Sequence, residues 1–253
     1  MAETIKSVVA WHNDKQIAMF LDAWQITKDD PRIHLQRDLH REGCAVTKNK
    51  GLAAVDSDIV VVLDDDCYPD GRSFGEFLDA HREALEPQRV EMFQPVTIPA
   101  SRGTPYHHRA TAMPVAASMG FWRGVGDYDA CAQLVHGART PMTFDHAPIF
   151  GRYFPLSGMN LAFRPKLWGR WCQFIDVPRF DDIWMGFLLQ KIAYSRGHCF
   201  NLAGPSVVHS RQSNVWQNLI DEAKNLEANE TLWERIAAGP MDYDELTKLI
   251  PAK

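Results

Sequence analysis

Five apolar residues, Ile59 to Leu63, run without interruption into three adjacent carboxylates, Asp64, Asp65 and Asp66. A short apolar run with no alternation suits a strand at the centre of a parallel sheet covered on both faces. In open α/β sheets, ligands collect beyond the carboxyl ends of the strands, and the three aspartates would stand at that edge. Carboxylates so close repel one another, and one of them normally takes up a proton. A divalent cation removes the conflict, because hard oxygen ligands suit Mg²⁺ or Mn²⁺. Mg²⁺ is usually held by one or two carboxylates plus substrate phosphates, so the run also implies a phosphate-bearing ligand. The plain alternative is a strand end followed by a solvated acidic turn.

Two other readings of the triplet fare less well. An EF-hand loop starting at Asp64 would need Gly at its sixth position and Glu at its twelfth, where the chain has Pro69 and Gly75. An aspartate-nucleophile phosphohydrolase also places paired aspartates after an apolar strand. That chemistry usually has Thr or Val where Cys67 stands and has its strand near the N-terminus, so it is a weak competitor.

Composition is that of an ordinary globular protein: 253 residues, 45% hydrophobic and 23% charged, enough for a sizeable core. There is no apolar run of about 18 residues to span a membrane. The start, "MAETIKSVVAWHND", lacks the basic and apolar regions of a secretory signal. Five scattered cysteines form no CxxC pair, which argues against a disulfide framework or a structural zinc site and predicts a reduced, cytoplasmic protein. A net charge of −5 gives no reason to expect a polyanionic partner.

The pattern along the chain is alternating α/β. "IKSVVAW" predicts a first strand, followed by a helix carrying Ile17, Phe20, Leu21 and Trp24. "RIHLQRD" predicts a second strand, and "KNKGLAAVDSD" a helix returning to Ile59. Strand, helix, strand at this pitch gives a parallel sheet. From Pro87 to Pro155 the sequence is irregular and rich in Pro, Gly and His, which predicts loops and short elements around a site. "FDDIWMGFLLQKIAYSRG" predicts a helix stopping at Gly197. Two amphipathic helices follow: one with a stripe of Trp216, Leu219, Ile220, Ala223 and Leu226, the other capped by Asn229 and carrying Leu232, Trp233 and Ile236.

Other polar groups stand among bulky apolar ones. Asp181 and Asp182 would open a helix, where carboxylates suit the positive end of the dipole; one of them as an N-cap and the other as a general base is the expectation. His209 ends the short apolar strand "PSVVH". A lone His is more often structural, but at a strand end facing an acidic site it is a reasonable third metal ligand.

The segments "LDDDC", "GDYDACAQL", "GMNLAF", "DDIWMG" and "HSRQSN" occur in this order. Together they resemble the reversibly glycosylated polypeptide family, also known as UDP-arabinopyranose mutases, over roughly Ile59 to Leu219. The resemblance implies an α/β fold, a single GT-A (Rossmann-like) domain over residues 1–253 with a mostly parallel central sheet and C-terminal helices. Its nucleotide-binding half would be 1–66, its sugar and acceptor half 67–213, and its helical segment 214–253. The triplet would be a DxD-type motif holding Mn²⁺ or Mg²⁺ and the diphosphate of a UDP-sugar. Asp64 and Asp66 would be metal ligands, with His209 closing the coordination, while Asp65 would face the sheet or the ribose. The front half reads more like a family-2 glycosyltransferase, which would put Lys48 or Lys50 near the nucleotide. Asp182, with Asp181 as its alternate, would orient sugar hydroxyls or serve as base, and Trp122, Asn160 and Trp184 would line the sugar pocket. The family's sugar-carrying arginine has its nearest counterpart in Arg109, with Asp127 or Asp129 as its base. Expected chemistry is mutase-like interconversion of UDP-arabinopyranose and UDP-arabinofuranose, or transfer to an external carbohydrate or other hydroxyl-bearing acceptor, a hydroxymethylated nucleobase included. A homo-oligomer is compatible with either.

Overall fold

The computed structural model describes residues 3–39, 42–95, 106–125, 128–137, 147–210 and 214–251. Its first half follows the expected alternation. Strands β1 (Ile5–Trp11), β2 (Ile33–Arg37) and β3 (Ile59–Asp64) are parallel, joined by helices α1 (Asp14–Ala23) and α2 (Cys44–Ala54). Helix α1 starts where Asn13 accepts from the backbone N–H groups of Lys15 and Gln16, a side-chain cap that removes orphan donors. All of Ile59 to Leu63 is fully buried, as a central strand requires. Its pleat divides the run: Val61 and Leu63 pack with Phe20, Trp24, Phe74 and Phe77, while Val60 and Val62 pack with Trp168, Met185 and Leu189.

A short strand β4 (Cys67–Pro69) follows the triplet, then α3 (Phe74–Ala84), opened by a capping box between Ser73 and Glu76. The stretch after Pro87 is more regular than its composition suggests. It contains an antiparallel pair, β5 (Gln88–Pro95) and β6 (Tyr106–Met113), and then a ten-residue strand, β7 (Val115–Gly124). Helix α4 (Ala130–His136) and a short β8 (Pro148–Ile149) complete it. Strand β7 begins "VAASMG" and is buried from Val115 to Gly120, so small side chains on both faces replace the alternation that would mark a half-exposed strand.

Strand β9 (Asn160–Phe163), helix α5 (Pro165–Trp168), helix α6 (Asp181–Ser195) and the long strand β10 (Cys199–His209) build the far half. Gly197, at φ +70°, ends α6 as expected. The large sheet runs β2-β1-β3-β9-β7-β10-β4, with β8 on β10. Strands β1, β2, β3, β7 and β10 share one direction, and β9 is inserted antiparallel between β3 and β7. Helices α1 and α3 cover one face, and α2, α5 and α6 the other.

The C-terminal helices are α7 (Val215–Ala223), α8 (Leu226–Ala238) and α9 (Tyr243–Thr247). Leu232, Ile236 and Leu246 are fully buried against Trp184 and Leu188 of α6. Two expectations fail here. Asn229 is not the cap of α8, because Asn225 holds that place and Asn229 lies inside the helix, accepting from Trp184 Nε1 at 3.0 Å. The stripe on α7 is not its inner face: Trp216 and Ile220 are 64% and 65% exposed, and the helix buries Asn218 and Glu222 instead.

Candidate active site

The carboxyl ends of β1 and β3 open into a cavity of about 290 Å³ whose walls include Trp11, His12, Asp38, Thr47 and the triplet Asp64, Asp65 and Asp66. It adjoins a wider hollow of about 620 Å³ that shares His12 and Asp38 and is flanked by Arg37. Together they have the size of a small-molecule site. Trp11, His12, Arg37 and Asp38 escaped sequence reasoning, although their signal was the position directly after the first two strands.

Each aspartate of the triplet has a different setting. Asp64 Oδ1 lies 2.9 Å from Lys48 Nζ, on a side chain only 4% exposed. Burial works against the Lys48 ammonium, but Asp64 and the acidic pair of α6 outweigh it and lift its pKa. The lysine therefore remains a cation, and it also donates to Gly158 O at 3.2 Å and lies 5.0 Å from the Phe174 ring centre. Asp65 is buried in the cleft wall, with Gln16 Nε2 donating to its carbonyl at 3.1 Å. Asp66 Oδ2 lies 3.5 Å from His209 Nε2.

Sheet pairing creates that last contact. His209 stands opposite Cys67 where β10 meets β4, and Ser210 N–H donates to Asp66 O at 3.3 Å. His209 Nδ1 donates to Val125 O at 2.8 Å. A carbonyl only accepts, so Nδ1 carries a proton, and Nε2 is the ring nitrogen that faces Asp66. Fixing a ring by its far nitrogen is what metal-binding histidines do. Gly124 makes room for this strand end: its φ is +86°, and a Cβ there would lie 2.6 Å from His209 O. The expected trio of Asp64, Asp66 and His209 is thereby divided. Among the described residues no group of three His, Cys, Asp or Glu side chains converges to hold a metal ion; Asp66 and His209 form a pair, and Asp64 is committed to Lys48. Two protein ligands still suit Mn²⁺ or Mg²⁺ when phosphates complete the shell.

The acidic pair at the start of α6 also separates, and in the reverse of the expected order. Asp182 Oδ2 accepts Gly158 N–H at 2.7 Å, and its Oδ1 accepts Ile183 N–H at 2.8 Å. Gly158 approaches so closely that a Cβ there would lie 2.5 Å from the Phe174 ring. Asp181 Oδ2 is sealed from solvent without a hydrogen-bond partner. Burial, reinforced by Asp182 and opposed by Lys48, pushes the Asp181 carboxyl up to about 7. Asp182 is thus the braced carboxylate and Asp181 the one held up near neutrality.

Several expected sugar contacts turn away. Asn160 is fully buried, accepting from His81 Nε2 at 2.8 Å and donating to Pro205 O at 2.7 Å, so it is a strut inside the sheet. Trp184 is fully buried and stacks on Phe180 at 5.8 Å, because it lies on the inner face of α6. Lys50 points outward from α2 and pairs with Glu42. Trp122 is half-buried at the end of β7, opposite Val207, and its indole N–H is buried without a partner. The backbone of Arg109 lies on β6 opposite Met92, apart from the large sheet; its side chain and Asp127 lie outside the described residues. Asp129 is taken as a cap, accepting Ala132 N–H at 2.9 Å.

The model of the family described as "Reversibly glycosylated polypeptide" matches residues 43–236. The chain is 30% identical over 199 residues to the "Probable UDP-arabinopyranose mutase 1" of Pisum sativum, covering 73% of this chain and 53% of that protein. It is 28% identical over 235 residues to "UDP-arabinopyranose mutase 3" of Arabidopsis thaliana, covering 83% and 64%. The chain thus spans between half and two thirds of the length of these relatives. Among solved structures it resembles a mannosyltransferase from Pyrobaculum calidifontis in complex with GDP-Man and Mn²⁺, at a TM-score of 0.53 and 13% identity, over 98% of this chain and 68% of that one. It also resembles GalNAc-T7 with UDP, GalNAc and Mn²⁺, at 0.51 and 9%, over 98% and 54%. At such identities the likeness is one of fold, and it establishes the GT-A architecture.

Proposed function

The chain belongs to the reversibly glycosylated polypeptide family, and on that premise we propose that it is a UDP-sugar enzyme with mutase-like chemistry. The substrate would lie in the cleft at the ends of β1 and β3, its diphosphate beside Asp66 and His209. The observation that carries this reading is the Asp66–His209 pair, 3.5 Å apart with the imidazole fixed by Val125, at the edge of a nucleotide-sized cleft.

Asp66 and His209 would hold Mn²⁺ or Mg²⁺. A divalent cation at that place supplies charge neutralisation to the diphosphate as the bond to the anomeric carbon breaks. The chain's own groups do the rest. Lys48 keeps Asp64 from repelling the diphosphate. Asp182 is held by two backbone amides and fixes the start of α6. Asp181, whose Oδ2 has no hydrogen-bond partner and whose carboxyl is pushed up to about 7, would take a proton from a sugar hydroxyl. In the mutase-like reading that hydroxyl belongs to the same sugar, carried meanwhile on Arg109: it closes a new ring on the anomeric carbon as the old ring oxygen leaves that carbon and takes up the proton, and the anomeric carbon then rejoins UDP. In the second reading the hydroxyl belongs to an external carbohydrate or other acceptor; the fold shared with two glycosyltransferases favours keeping it. No helix among the described residues is long and apolar enough to cross a membrane, and the five cysteines are free thiols, which suits a reducing, cytoplasmic setting.

Calorimetry of UDP with Mn²⁺, and again with EDTA, tests the site. Tight binding only with the metal is expected, and unchanged affinity in EDTA overturns the metal reading. Incubation with UDP-arabinopyranose, followed by NMR of the ring forms, then separates interconversion from acceptor-stimulated UDP release.

A further inference from the structure

We infer that Glu222, on α7, is a positioning residue for the acidic start of α6, acting through Arg179. This rests on the reading above that Asp181 and Asp182 serve the reaction.

Arg179 precedes Asp181 by two residues, and its backbone sits at φ +68°, in the left-handed region. A bulky, non-glycine residue is uncommon there, and such strain persists only where the surroundings over-determine it. What holds it is a buried carboxylate. Glu222 is 1% exposed; its Oε1 lies 3.1 Å from Arg179 Nε, and its Oε2 accepts Ala130 N–H at 2.8 Å. One side chain thereby ties three segments: the turn before α6, the start of α4, and α7.

The packing of α7 shows that this contact outranks apolar burial. By hydrophobic area, Trp216 and Ile220 would face inward. They face solvent, and the polar Asn218 and Glu222 are buried. Departures from local rules of this kind concentrate at functional sites. The turn also transmits displacement. Ile175 N–H donates to Asp181 O at 3.1 Å, and Phe180, between Arg179 and Asp181, stacks on Trp184. Arg179 therefore cannot relax without moving Asp181, whose carbonyl holds the Ile175 amide.

The test uses the full chain and the variants Arg179→Ala, Arg179→Gly, Arg179→Lys and Glu222→Gln. Gly removes the guanidinium and accepts the backbone angle, so it separates the ion pair from the strain. Amide hydrogen exchange reports the clamp without any substrate. Ile175 N–H should exchange at least tenfold faster in Arg179→Gly and Glu222→Gln, with the Leu188 amide of the same α6 unchanged. Steady-state assays with UDP-sugar should show kcat reduced by about tenfold to a hundredfold with KM within about twofold, the pattern of a misplaced group, and Arg179→Lys should recover part of it. Unchanged exchange at Ile175, an equal acceleration at Leu188, or failure of Glu222→Gln to fold would each make the pair a structural strut and overturn the inference. If the wild type neither binds UDP nor turns over a UDP-sugar, the functional reading falls, while the exchange experiment still decides whether the clamp exists.

Discussion

At the end of β3, Asp64 faces an ammonium at 2.9 Å and Asp66 an imidazole at 3.5 Å; at the start of α6, Asp182 faces two backbone amides and Asp181 Oδ2 has no hydrogen-bond partner. Both regions crowd carboxylates at the end of a regular element, and they settle the repulsion by different means. The strand end recruits an ammonium from α2 and an imidazole from β10, and in the proposed function the imidazole and Asp66 would receive the metal and the diphosphate. The helix start uses peptide dipoles, which satisfy one acid fully and leave the other to hold a proton. Two neighbouring residues of the same type thus take up different chemistry through what their surroundings donate.

Exchanging Asp181 for Asn should break this division most severely. Loss of a general base typically costs about 10²–10⁴ in kcat, read from UDP-sugar turnover, and a variant retaining wild-type kcat would return the role to Asp182. Stability should move the other way. The native carboxyl titrates near 7 rather than 3.8, so the folded state keeps a proton that the unfolded chain releases. Wild-type stability should then fall as pH rises from about 4 through 7, and the Tm gain of Asp181→Asn should be larger at pH 8 than at pH 4.

Removing the imidazole by His209→Ala should weaken Mn²⁺-dependent UDP binding by about 10- to 100-fold, with the UDP affinity in EDTA unchanged. Calorimetry showing equal loss in both conditions would make His209 a packing residue. Lys48→Met should cost roughly 2 kcal/mol in urea unfolding, less than the 3–5 of a fully buried pair, because the Asp64 side chain is 32% exposed and can rehydrate. The effect of His81 is read on stability alone. Burial depresses its pKa to about 4, against a hydrogen bond with Asn160. Its share of stability is present above about pH 6.5 and is lost as pH falls toward 4. Thermal melts of His81→Gln should be flatter over that interval.

The strand end was the more legible region. The apolar run and the acidic edge are local in sequence, and so is His209's place at a strand end; the positive charge expected beside the triplet was a divalent cation, whereas the one Asp64 meets is Lys48. Which cation serves Asp64 was harder, because Lys48 and Lys50 differ only in helical phase. Lys48 shares the inner face with Ala45 and Gly51, whose Cβ would lie 2.6 Å from Val8. Asp181 and Asp182 were not separable at all: adjacent and identical, they are told apart by Gly158, 24 residues from Asp182. Strand β7 was missed because its small residues carry no alternation. Asn160 and Trp184 look like sugar contacts by residue type, and only burial shows one to be a strut and the other core.

The Gly158 peptide receives Lys48 on its carbonyl and gives its N–H to Asp182. Hydrogen bonds at the two ends of one amide polarise each other, so these side chains feel one another without touching. Their tolerance to change is therefore joint. A replacement accepted at one position depends on what occupies the other, and paired substitutions will depart from the sum of the single ones.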